Sequence, residues 1–152
     1  MKASSFLTKE QQEQLRASIR EAEKKTSGEI RIHIETKLTG DVLDRAAWIF
    51  KRIGMDKTAD HNGVLFYVAL GPRKFAIIGD KGINARAPEG FWNNISDVIR
   101  KNFLEGRFTE GLSEGILMAG THLSEHFPYR KDDINELPDD ISFGDPDKPG
   151  TV

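Results

Sequence analysis

The chain has 152 residues, 38% of them hydrophobic and 30% charged, with a formal net charge of −2. That balance suits one domain with a real core and excludes a disordered chain. The absence of cysteine rules out disulfides, thiolate nucleophiles and cysteine-held zinc, and no apolar run reaches the length of a bilayer span.

The first nine residues hold no apolar stretch of the secretory kind, so a cytoplasmic location is expected. Thr8-Lys9-Glu10-Gln11 is a capping-box pattern, and Leu15, Ile19 and Ala22 give the helix behind it one apolar stripe. Glu29 to Thr36 alternates, with Ile30, Ile32 and Ile34 on one face and Arg31, His33 and Glu35 on the other, which predicts a strand at a sheet edge with one exposed face. Asp41 starts a second helix that turns Val42, Ala46, Ile49, Phe50 and Ile53 inward and ends at Gly54; Trp48 is assigned to the core as well. Gly63 to Leu70 is almost continuously apolar, as a strand covered on both faces requires. Gly71-Pro72-Arg73-Lys74 is a turn, and Phe75 to Ile78 resumes the apolar run.

Pro88 predicts the first turn of a third helix carrying Phe91 or Trp92, Ile95, Ile99 and Phe103 inward. Thr109 is the expected cap of a last helix with Leu112, Ile116, Ala119, Leu123 and Phe127 on its apolar face, ended by Pro128. The order α-β-α-β-β-α-α predicts an α/β protein, a small mixed sheet with helices on both faces, over residues 1–127. Residues 128–152 carry seven acidic and three basic residues and four of the six prolines, which predicts a flexible acidic tail. No basic stripe with interleaved aromatics is present, so nucleic acid is not an expected partner.

In an antiparallel hairpin the start of the first strand lies beside the end of the second, so Asp60 and Asn62 should approach Asp80. Oxygen ligands gathered at a sheet edge are what calcium or magnesium requires. Asp60, Asn62 and Gly63 are equally good turn formers, and on the residues alone both readings stand. His122-Leu123-Ser124-Glu125-His126 matches a zinc-protease pattern, H-x-x-E-H, on the last helix. That helix ends at once, at Phe127-Pro128, and imidazoles at a helix C-terminus complement its dipole, so a surface charge cluster is the reading adopted.

Several of these segments together carry a resemblance. Thr26-Ser27-Gly28-Glu29-Ile30, Asp60-His61-Asn62-Gly63, Gly79-Asp80-Lys81-Gly82-Ile83 and Phe103-Leu104-Glu105-Gly106-Arg107-Phe108 resemble, in order and spacing, the "(S/T)GxEI", "NNG", "G-x-G-(L/I)" and "F-x-x-G-x-(F/Y)" motifs of the TPM domain family. The likeness covers roughly Leu7 to Phe127 and implies an α/β sandwich whose loops hold a divalent cation. On that basis Asp60, Asn62 and Asp80 are the expected ligands, with Asp56 and Glu105 as further contributors. The family includes chloroplast lumenal, animal and bacterial members. The resemblance implies two activities. One is a cation-ordered module that engages a protein partner; the other is metal-assisted hydrolysis of a phosphomonoester. Arg73, Lys74, Lys81, Arg86 and Arg107 are candidate anion partners by their residue type, although basic residues in turns serve solubility more commonly.

Overall fold

The computed structural model describes residues 3–129 and 141–144. Helix α1 (Lys9–Glu23) opens on the expected capping box: the Thr8 side chain accepts from the Gln11 amide, and the Gln11 side chain accepts from the Thr8 amide. Strand β1 (Glu29–Glu35), helix α2 (Val42–Arg52, capped by Asp41) and strand β2 (Gly63–Ala69) then form a parallel crossover unit. Strand β3 (Lys74–Gly79) returns antiparallel to β2, with Leu65 opposite Ile78 and Tyr67 opposite Ala76. Helices α3 (Lys81–Arg86), α4 (Asn93–Leu104) and α5 (Phe108–Ser124) follow, and strand β4 (Ile141–Gly144) pairs parallel with β1.

The sheet order β3-β2-β1-β4 makes this a mixed, open, four-stranded α/β fold. The even residues of β1, Ile30, Ile32 and Ile34, share a face with Val64, Phe66 and Val68 and pack beneath α1, α4 and α5. On the opposite face Leu65, Tyr67 and Ala69 pack against Ala46, Ile49 and Phe50 of α2 and against Met55. Every residue of β2 is buried, as its unbroken apolar run requires. Among the described residues no helix is long and apolar enough to cross a membrane.

Five local expectations change. Strand β1 is interior rather than an edge, because β4 pairs along its outer side; His33 is fully buried and Glu35 is 3% exposed. β4 itself lies inside the segment expected as a flexible tail; the rest of that segment beyond Tyr129 falls outside the described residues. Trp48 is 51% exposed, since it sits two residues, about 200°, around the helix from the buried Ala46. Helix α4 begins at Asn93, after turns at Pro88 and Gly90, rather than at Pro88. Thr109 is buried inside the first turn of α5, whose cap position is held by Arg107.

Candidate functional site

The loop before β2 and the loop after β3 meet at one corner of the sheet. The Asp80 amide donates to the Gly63 carbonyl at 3.0 Å and the Gly82 amide to that of His61 at 3.0 Å. A Cβ at Gly82 would lie only 2.6 Å from the His61 carbonyl oxygen and would also strike that of Asp60, so the approach of the two loops depends on glycine there. His61 adopts a left-handed backbone with φ of 50°, a conformation that costs a non-glycine residue about 1 kcal/mol or more.

Asn62 is the pivot of this corner. Its side-chain amide donates to the Ser27 carbonyl at 3.1 Å, its backbone amide to the Thr58 hydroxyl at 3.1 Å, and its carbonyl accepts from Glu29 at 3.2 Å. The segments before β1 and β2 are thereby tied together. Asp80 caps α3, its Oδ1 accepting from the Lys81 amide at 2.8 Å, and its Oδ2 stands 3.4 Å from His61 Nδ1 without the alignment of a hydrogen bond.

Four side-chain atoms in these two loops are buried with no hydrogen-bond partner among the described residues: Asp56 Oδ1, His61 Nδ1, Asn62 Oδ1 and Asp80 Oδ2. Leaving one such group unpaired costs about 1–3 kcal/mol, so each of the three oxygens calls for an explanation. Two carboxylate oxygens and one amide oxygen are the donor types a hard cation takes, the remaining positions falling to backbone carbonyls and water. Among the described residues no three histidine or acidic side chains are grouped closely enough to hold a metal ion, so Asp56 does not join His61 and Asp80 in such a group. The donor types suit calcium or magnesium, but the described acidic and histidine side chains are not gathered into a closed site.

The expected ligands divide accordingly. Asp80 stands at the corner against Gly63, Asn62 lies in the adjoining loop with its side chain turned to Ser27, and Asp56 lies in a short helix beside Gly63. Asp60 lies in the same loop as Asn62, but its side chain is exposed while its backbone carbonyl packs on Gly82. Glu105 is not at the corner: it caps the end of α4, where Phe103 packs edge-on against Phe75 at 5.5 Å, at the other end of β3 from Asp80. The H-x-x-E-H histidines serve packing, both rings meeting Phe91 and His122 Nδ1 bonding the Met118 carbonyl at 2.8 Å.

A second polar cluster was hidden by the assumption of an exposed strand. Glu35 receives the Tyr67 hydroxyl at 2.6 Å and two Arg45 nitrogens at 3.1 and 2.6 Å, and His33 Nε2 lies 3.3 Å away. His33 Nδ1 in turn meets the Ser142 hydroxyl of β4 at 2.6 Å. Burial pushes the Glu35 carboxyl up, but His33, Arg45 and Tyr67 together outweigh it and hold the pKa at about 2. Burial, and then the same carboxylate, raise the Tyr67 phenol. The alternation His33-Ile34-Glu35 with a Tyr on the neighbouring strand was visible, but nothing in it announced a covered face.

The sequence profile of the TPM domain matches residues 1–122. The fold is similar to the solution structure of the BA42 protein from the psychrophilic bacterium Bizionia argentinensis, with 47% identity, a TM-score of 0.87, and 91% of this chain and 96% of that one covered. It is also similar to the N-terminal domain of a P. gingivalis protein, at 21% identity and a TM-score of 0.67, covering 84% and 83% of the two chains; that likeness bears on the fold alone. No curated protein matches the chain.

Proposed function

The chain belongs to the TPM domain family, and from that premise we propose that it is a divalent-cation-binding module whose ion orders the corner formed by residues 55–63 and 79–82. The single observation that carries the reading is the set of buried, unpartnered oxygens Asp56 Oδ1, Asn62 Oδ1 and Asp80 Oδ2. A calcium or magnesium ion drawn between the two loops would give such oxygens the partner they lack. Asp60, exposed in the same loop as Asn62, is a further candidate ligand. Glu105 is left out of the set because of its place at the far end of β3.

When bound, the ion fixes the two loops relative to each other. The surface so ordered serves to engage a protein partner, which needs no group beyond those described. The test is a titration of the chelator-treated protein with calcium, and separately with magnesium, followed by amide NMR. Saturable shifts confined to residues 55–63 and 79–83, lost in Asp80→Asn, are the expected result. Shifts scattered over acidic surface residues, or none, sink the reading. A parallel assay with an aryl phosphate decides the enzymatic alternative: metal-dependent turnover that vanishes in Asp80→Asn would replace the module by a hydrolase.

A further inference from the structure

At the end of the sheet away from that corner, the carboxyl ends of β1 and β2 open into a cleft of about 720 Å³. In open α/β sheets this is where ligands settle, and the volume lies within the range of small-molecule sites, roughly 300–1,000 Å³. One wall is aromatic. Phe6 meets Phe108 edge-on at 4.9 Å, and Phe108 stacks on Phe103 at 4.9 Å. Val68 and Leu70, where β2 ends, supply aliphatic surface.

The charged groups among the described residues lining the cleft have one sign. Lys37, just beyond β1, and Arg73, in the β2–β3 turn, both line it and both reach solvent, and no acidic residue is among the described residues lining it. Arg73 takes a left-handed backbone with φ of 56°, so the turn is bent into an unfavourable conformation at the residue that carries the charge. A second recess of about 390 Å³ shares Arg73 and Phe103 and adds Lys74 and Arg100. An apolar floor with a cationic rim suits an apolar body joined to an anionic head, since each end of such a ligand would lose affinity in the opposite orientation.

We propose that this cleft binds a small amphiphilic anion, an alkyl or aryl chain ending in a carboxylate or phosphate, independently of the cation corner. The probe is sodium decanoate, titrated at monomeric concentration into the full chain under amide NMR, with decanol as the neutral comparison. Decanoate should give saturable shifts at residues 36–37, 68–73 and 103–108, should bind at least tenfold more tightly than decanol, and should be indifferent to chelator. The double variant Lys37→Gln, Arg73→Asn changes two exposed side chains and keeps a residue that tolerates the left-handed turn; it should weaken decanoate at least tenfold and leave decanol unchanged. The proposal is overturned by equal affinity for the two probes, by the double variant binding decanoate as well as the parent, or by no saturable shift. Concentration-dependent shifts of the same residues without decanoate would overturn it too, by assigning the cleft to a second copy of the chain. Because the corner and the cleft lie at opposite ends of β2, loss of calcium binding with decanoate binding intact, or the reverse, separates the two readings.

Discussion

Asp80 divides its carboxylate between two tasks: Oδ1 caps the Lys81 amide at 2.8 Å, while Oδ2 faces His61 Nδ1 at 3.4 Å without a hydrogen bond. The capping oxygen belongs to the fold, and the other is the one that the proposed cation would take. Asparagine caps helices as well as aspartate does, so Asp80→Asn should leave the metal-free protein within about 0.5 kcal/mol of the parent. With calcium at a hundred times its dissociation constant, the parent should gain about 2.7 kcal/mol and the variant much less. Thermal unfolding with and without calcium reads both effects, and an equal gain in the two proteins would remove Asp80 from the site.

Glu35 makes stability depend on pH. Its carboxyl titrates at about 2 in the folded protein against an ordinary 4.5. A depressed carboxyl contributes stability that is fully present above the unfolded value and is lost as pH falls through the folded one. The window is therefore from about 4.5 down to about 2, and the contribution is on the order of 3 kcal/mol. Urea midpoints should fall steeply between pH 5 and pH 3 in the parent. In Glu35→Gln the protein should be weaker at neutral pH and the fall shallower; an unchanged slope would mean that the acid sensitivity comes from elsewhere.

Two aromatic positions of α2 should respond in opposite ways to truncation. Trp48 is half-exposed with the Arg45 guanidinium 4.7 Å above its ring, so Trp48→Ala should cost no more than about 1 kcal/mol. Phe50, 5% exposed and packed with Met55 and Leu65, should cost about 3–5 kcal/mol as alanine. Denaturant unfolding of the two variants tests this, and equal losses would contradict the observed orientation of α2.

Gly82→Ala should destabilise the protein by about 1–3 kcal/mol and shift the amide signals of residues 60–63, because the new methyl group must push aside two backbone carbonyls rather than a flexible side chain. A variant with the parent's melting temperature and spectrum would show that the two loops are not held as close as described.

Periodicity and local chemistry determined much of this molecule. The capping box at Thr8, the cap at Asp41, the doubly buried β2 and the apolar stripes of α1 and α5 rest on spacings of two and 3.6 residues, which the chain carries in every short window. The meeting of the loop before β2 with the one after β3, Gly63 with Asp80 and His61 with Gly82, was equally legible, since hairpin pairing fixes which ends become neighbours. Only the tertiary structure decided the rest. Whether the polar face of β1 meets water depends on Arg45 of α2 and Tyr67 of β2, and whether β1 is an edge depends on β4, more than a hundred residues downstream; periodicity within β1 contains neither pairing. Which end of the sheet receives Glu105 depends on how α4 lies across it. Local preference acts over a few residues, whereas burial is settled by what packs against an element from elsewhere in the chain.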